Sequence, residues 1–207
     1  LPGIQPCIMD NDGNELNSLN VEGKLCIKFP WPSMARTIYG DHKRFKDTYF
    51  STFENMYFTG DGCIRDNEGM YRITGRVDDV IIVSGHNLGT AEIESAIDEH
   101  PNVCETAIVG YPHKIKGNAI YAFVITQGDI KNEINTRAEI NNLIVKNVGP
   151  IAKVEKIQFV KGLPKTRSGK IMRRILRKIA SNDFSNFGDT STLLDPNVVE
   201  EIIREKI

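Results

Sequence analysis

The sequence changes character near residue 79, and that change limits the folds open to it. Before it, short strands are separated by turn clusters. Asp10-Asn11-Asp12-Gly13-Asn14 reads as a turn, and Gly23 to Lys28 alternates apolar and polar residues as a half-buried strand does. Tyr57 to Asp61 leads into a hairpin signal, in which Cys63-Ile64-Arg65 and Met70-Tyr71-Arg72-Ile73 flank Asp66-Asn67-Glu68-Gly69. After residue 79, strands alternate with helices. Val80-Ile81-Ile82-Val83 predicts a short buried strand, Ser84 to Gly89 a loop, and Thr90 an N-cap with Glu92 in the first turn. Ile93, Ala96 and Ile97 share one helical face, and His100-Pro101 ends that helix. Val103 to Tyr111 and Ala119 to Thr126 predict strands. Ile140, Leu143, Ile144 and Val148 mark a second helix stopped by Gly149-Pro150, and Ile157 to Val160 a further strand. Residues 181–207 begin polar and end in a helix over Val198 to Lys206. The sum is an α+β chain, with a short sheet and helices after residue 79.

At 207 residues the chain can form one or two domains with a real core. A formal net charge of −1 argues against a molecule that binds nucleic acid by its overall field. Cys7, Cys26, Cys63 and Cys104 are far apart, with no Cys-x-x-Cys pair, and read as reduced, packed thiols. No apolar run approaches membrane-spanning length and no secretory signal is visible. The start Leu1-Pro2-Gly3 reads as a piece that begins inside a longer protein.

The chemistry concentrates in Pro164-Lys165-Thr166-Arg167-Ser168-Gly169-Lys170-Ile171-Met172-Arg173-Arg174. From Lys161 to Lys178 there are eight Lys or Arg and no acid. Lys170 follows a Ser-Gly pair and precedes an apolar-periodic run (Ile171, Ile175, Leu176, Ile179), so it reads as a cation at a loop tip near a helix N-terminus, a place that favours an anion. Basic runs also form solvated faces and nucleic-acid patches, and a binding or interaction module using residues 161–178 is the alternative. A phosphate-binding P-loop is excluded, because six residues separate Gly162 from Gly169 and Ile171 follows the Lys.

Three further groups stand beside it. Thr59-Gly60-Asp61-Gly62 sets a carboxylate between two glycines, which suits a bidentate grip on a diol but reads locally as an Asp in a turn. Arg76, in Ile73-Thr74-Gly75-Arg76-Val77-Asp78-Asp79, could fork onto phosphate or ribose, or could pair with an Asp. Ser84-Gly85-His86 offers a glycine loop before a helix, or a plain strand-to-helix turn.

The order of these motifs (TGDG, TGRVDD, SGHNLGTAEIE, PKTRSGKIMRR) resembles the C-terminal part of the AMP-forming acetyl-CoA synthetases, a branch of the adenylate-forming superfamily. The resemblance covers essentially the whole chain and includes Val21-Glu22-Gly23, Trp31-Pro32, Ala35-Arg36-Thr37, Tyr49 to Phe53 and Gly188 to Leu193. It implies a two-step reaction: acetate and ATP give acetyl-AMP and pyrophosphate, then coenzyme A takes the acetyl group and AMP leaves. It implies that residues 1–77 are the end of a large β-rich N-terminal domain, that Asp78 is a hinge, and that residues 79–207 are a small mobile α+β domain. It assigns Lys170 to adenylation catalysis and to reversible acetylation, which removes its charge. It assigns Asp61, Arg76 and the Asn87 position to ATP/AMP, and Ser84, Gly85 and the Val145 position to coenzyme A. The region of Asp98, His100 and Val103 resembles a structural Mg2+ site formed mostly by backbone oxygens. The chain departs from the pattern at Asn87 and Val145, where relatives carry phosphate-serving arginines. The implied partners are acetate, ATP and CoA, the rest of the N-terminal domain in the same parent chain, and a lysine deacetylase or acetyltransferase, with no nucleic acid and no membrane. The implied compartment is the cytoplasm, extended to the nucleus if the source is eukaryotic.

Overall fold

A computed structural model describes residues 3–128 and 130–207, so the Leu1-Pro2 start lies outside the described residues. The chain divides into two compact units, the first ending at Asp78 and the second running Asp79–Ile207.

The first unit is an antiparallel meander, β1 (Pro6–Met9), β2 (Val21–Ile27), β3 (Tyr57–Arg65) and β4 (Tyr71–Arg76), in the order β1-β2-β3-β4. The Asp66–Gly69 signal joins β3 to β4. Asp66 Oδ1 accepts the Glu68 and Met70 amides at 2.9 Å, an Asx-type turn that fixes the register Arg65↔Tyr71. Cys7, Met9, Cys26 and Phe53 form the small core of the sheet. The sequence reading passed over strand β1 and helix α1 (His42–Tyr49) here. Only Phe45 of the helix's eight residues is buried, so it carries no apolar period to detect; its start is marked instead by Asp41, whose carboxylate accepts the Arg44 amide.

The second unit has a five-stranded sheet: β5 (Ile81–Val83), β6 (His86–Leu88), β7 (Val103–His113), β8 (Gly117–Thr126) and β9 (Lys156–Phe159). A long β7–β8 hairpin forms its centre. Strand β9 runs parallel to β8 from Tyr121 to Val124, and β5 meets β8 at Gly117. Helices cover both faces. Alternate residues of β7 and β8 (Ile108, Ile120, Ala122, Val124) pack with Ile93, Ala96 and Ile97 of α2 (Thr90–Asp98) and with Ile140 and Ile144 of α3 (Glu133–Asn147). The other set (Ala107, Val109, Tyr121, Phe123) packs with Ile175, Leu176 and Ile179 of α4 (Arg173–Ala180) and with Val199 and Ile202 of α5 (Asn197–Arg204). This double coverage explains why β8 reads as an almost unbroken apolar run rather than an alternation.

Five local expectations are corrected. Residues 86–88 are strand β6, not loop: Ser84 (φ +49°) and Gly85 (φ +84°) form a two-residue left-handed turn that folds β6 back on β5. Strand β5 is buried only at alternate positions, with Ile82 on the surface. Gly89, not Thr90, is the N-cap of α2; Thr90 is already helical and its side chain is buried. Ile171 lies in a β-bridge with Lys165, and α4 starts two residues later, at Arg173. Cys104 is exposed, so three of the four thiols are packed rather than all. Among the described residues no helix is long and apolar enough to cross a membrane.

Candidate functional site

In the first unit, strand pairing brings Asp61 opposite Arg76. Asp61 therefore sits within a strand and not in the turn its glycines suggested. Arg76 Nη1 lies 3.2 Å from Asp61 Oδ1 and donates to the Thr59 carbonyl at 3.0 Å, while Nη2 lies 3.4 Å from Asp78 Oδ2. Burial works against the guanidinium's charge, but Asp78 and Asp61 together raise its pKa above the usual value. Gly60 makes the cluster possible: its φ is +80°, and a Cβ there would run into the Arg76 guanidinium. The Arg–Asp pairing anticipated as one of two options is what the structure contains. It aligns Asp61, Arg76 and Asp78 in one polar row, with the second Asp61 oxygen making no hydrogen bond among the described residues.

In the second unit, Lys170 stands at the end of a tight turn. The Thr166 amide donates to the Lys170 carbonyl (2.9 Å), the Lys170 amide to Thr166 Oγ1 (3.1 Å), and the Gly169 amide to the Thr166 carbonyl (2.8 Å). Gly169 takes φ +83°, which closes the turn and leaves Lys170 exposed.

Four of the other seven cations of the segment are paired with acids. Lys165 pairs with Glu105 (2.6 Å), Arg173 with Glu94 (2.8 Å), Arg177 with Asp79 (3.0 Å) and Lys178 with Asp183 (3.0 Å), and the Arg174 guanidinium donates to the Asp189 carbonyl. Lys170 makes no ion pair among the described residues. A nucleic-acid face needs cations free to meet phosphates, and the four paired cations offer it less than the sequence run suggested. Lys170 is left as an exposed cation, together with Lys161 and Arg167.

The sequence reading missed Glu94 and Arg173 as a unit. Glu94 Oε1 accepts the Ile108 amide at 2.9 Å, and Arg173 Nη2 lies 2.8 Å from both Glu94 oxygens, so α2, β7 and the first turn of α4 are joined. The only signal was an acid on the helix face adjoining Ile93 and Ile97; its partner lies 79 residues away.

The remaining positions lie on separate elements. Ser84 and Gly85 form the exposed β5–β6 turn, with the Ser84 amide donating to the Lys116 carbonyl at 2.9 Å, and Asn87 follows on β6, also exposed. Val145 is on the outer side of α3, 40% exposed. Asp98, His100 and Val103 flank the α2–β7 turn. His100 is buried, with Nδ1 accepting the Asn102 amide (3.2 Å) and Nε2 facing Glu139 (3.1 Å), which assigns the ring proton to Nε2. Burial raises the Asp98 carboxyl above its usual pKa, with nearby Glu105 adding to it. Among the described residues no group of three His, Cys, Asp or Glu could hold a metal ion. The side chains here do not make a cation site. A magnesium ion could be held only through main-chain oxygens.

A two-unit chain of this kind, with a five-stranded sheet covered on both faces and an outward lysine turn, has the architecture of the adenylate-forming enzymes. Residues 92–170 match the family described as AMP-binding enzyme C-terminal domain. The chain is similar to the C-terminal portion of the acetyl-coenzyme A synthetases. That of Escherichia coli strain K12 is 57% identical over 204 residues, which are 99% of this chain and 31% of the synthetase. Among solved structures, the anthranilate CoA ligase AuaEII in complex with anthranoyl-AMP superposes with a TM-score of 0.77 at 25% identity, over 87% of this chain and 34% of that one. The amide bond synthetase McbA from Marinactinospora thermotolerans gives 0.73 at 25% identity, over 86% and 35%. The chain thus spans about a third of the length of the relatives it matches.

Proposed function

We propose that this chain is the C-terminal part of an acetate–CoA ligase, which makes acetyl-AMP and pyrophosphate from acetate and ATP and then acetyl-CoA and AMP. The observation that carries the reading is Lys170. It is exposed just after the turn that Gly169 closes, has no ion partner among the described residues and lies inside the matched family region; Arg167 of the same turn shares these features, but only Lys170 falls where the resemblance places the adenylation lysine. A preorganised ammonium is the group needed where charge is rearranged between a carboxylate and an α-phosphate. Residues 1–77 are the end of the large domain, Asp78 the hinge and residues 79–207 the small domain. The Asp61 carboxylate takes the ribose diol and Arg76 the nucleotide. The Ser84-Gly85 turn borders the path of the CoA thiol. Acetylation of Lys170 would remove its charge and stop adenylation, which makes a lysine acetyltransferase and deacetylase the matching regulators. No step is assigned to magnesium bound at His100.

The direct test is acetate-dependent exchange of pyrophosphate into ATP. The full-length enzyme containing this chain should catalyse it, and the 207-residue chain alone should not. Robust exchange by the isolated chain would show that it carries a complete site. Lack of exchange by the full-length enzyme with any small carboxylate would remove the ligase reading.

Asn87 and Val145 give a finer check. Both are exposed, so Asn87→Arg and Val145→Arg should shift stability by no more than about 0.5 kcal/mol. A new charge-assisted contact to phosphate contributes about 1.5–3 kcal/mol, roughly ten- to hundredfold in a Michaelis constant. Asn87→Arg should act on ATP, and Val145→Arg on CoA but not on dephospho-CoA. Equal responses to the two thiols would dismiss a 3′-phosphate contact at position 145.

A further inference from the structure

The Lys170 turn is not held by its own hydrogen bonds alone. A short extended segment from further along the chain lies against it. Thr166 forms an antiparallel bridge with Leu193, just as Lys165 does with Ile171. The Arg167 amide donates to the Thr192 carbonyl at 3.1 Å, and the Leu194 amide donates to the Lys165 carbonyl at 2.8 Å. The result is a miniature three-stranded arrangement in which the strand leading into Lys170 is the middle member.

The added strand is itself anchored. Leu193 is 5% exposed and packs in the same core cluster as Ile175, Leu176 and Ile179 of α4. Upstream of it, the Arg174 guanidinium donates to the Asp189 carbonyl, and the Leu193 amide donates to the Thr190 carbonyl at 3.0 Å. Residues 190–194 are thus fixed to the helix that follows Lys170 and hydrogen-bonded to the strand that precedes it.

We propose that residues 190–194 are a positioning strap for Lys170, acting on the adenylation half-reaction through the backbone of the Lys165–Thr166 strand. The proposal rests on the reading of Lys170 as the adenylation lysine. The physical reason is leverage. A long, exposed lysine can place its ammonium only as well as its Cα is placed, and a displacement of about 1 Å can cost about a hundredfold in rate. The turn's internal bonds fix its shape, whereas the strap fixes where that shape stands on the sheet.

The test uses the full-length enzyme. Leu194→Pro deletes the amide that donates to Lys165, while its side chain is 68% exposed and contributes little packing. A proline there also favours extended backbone at Leu193, which the bridge already requires. Leu194→Ala, which keeps the amide, is the control. Leu194→Pro should lower acetate-dependent pyrophosphate exchange by about ten- to hundredfold. It should leave acetyl transfer from supplied acetyl-adenylate to CoA within about twofold and speed hydrogen exchange of the Gly169 and Lys170 amides. Leu194→Ala should match the parent in all three. Equal losses in both half-reactions, or unchanged amide protection, would overturn the strap. If the unsubstituted enzyme shows no acetate-dependent exchange, the ligase reading has failed instead, and the amide measurement by itself decides whether the strap holds the turn.

Discussion

Lys170→Ala in the full-length enzyme should slow adenylation by a factor of about 10²–10³, the usual effect of removing one preorganised donor from a site of developing negative charge. Thioester formation from supplied acetyl-adenylate should be nearly unchanged, because Lys170 is proposed to act on the acetate carboxylate and the α-phosphate of ATP, which are already joined in the supplied intermediate. The fold should not notice. Lys170 is exposed, and its turn is closed by the Lys170 backbone and by Thr166 and Gly169 rather than by the ammonium. Exposed substitutions of this kind shift stability by no more than about 0.5 kcal/mol. Single-turnover measurement of each half-reaction, with a melting curve alongside, separates the possibilities. Equal losses in the two half-reactions, or a sharp fall in melting temperature, would contradict the role given to Lys170.

The second large effect is on stability and belongs to Arg173. Removing it leaves Glu94 as a largely buried carboxylate with only the Ile108 amide as a remaining donor. Breaking a buried pair on one side costs about 3 kcal/mol at the low end of the usual range, roughly a 10 °C fall in melting temperature for a unit of this size. Arg173→Ala should therefore destabilise far more than Arg167→Ala, at an exposed turn residue three positions before Lys170.

The loss should also depend on pH. Burial raises the Glu94 carboxyl above its ordinary value of 4.5, and Arg173 is the strongest opposing influence. A carboxyl whose folded pKa is raised holds its proton more tightly when folded than when unfolded. Its contribution to stability therefore falls as pH rises from 4.5 through the raised folded value. Without Arg173 that window extends upward. The deficit of Arg173→Ala should be largest near neutral pH and shrink as the pH is lowered toward 4.5. A deficit independent of pH would mean that the ion pair is not the cause.

Much of the fold was legible because its signals are local. The Asp66–Gly69 turn, the apolar face of α2 at Ile93, Ala96 and Ile97, and the stop at Gly149-Pro150 each depend on residues within one or two turns of chain. The ordered motifs likewise pointed to the family whose model matches residues 92–170, because chemical residues spaced along a strand-turn-helix pattern are a property of the sequence itself. The Lys170 loop was legible for the same reason: a Gly that closes a turn, and no acid nearby in sequence.

Other features depended on groups far apart in the chain. Asp61 looked like a turn residue until strand pairing set it against Arg76, and Ile171 looked helical until it paired with Lys165. Helix α1 escaped because one buried Phe45 makes no period. Which of the eight cations between Lys161 and Lys178 would be neutralised was likewise undecidable, because Glu94, Glu105 and Asp79 are brought to them only by packing. The sequence by itself carried most of the element types, the resemblance to the family whose model matches residues 92–170, and the loop that holds Lys170. The tertiary structure decided which charges are paired, and that the turn carrying Lys170 leans on residues 190–194. Local backbone preference acts over a few residues, whereas pairing is settled only when the core closes and brings distant side chains and strands within hydrogen-bond reach.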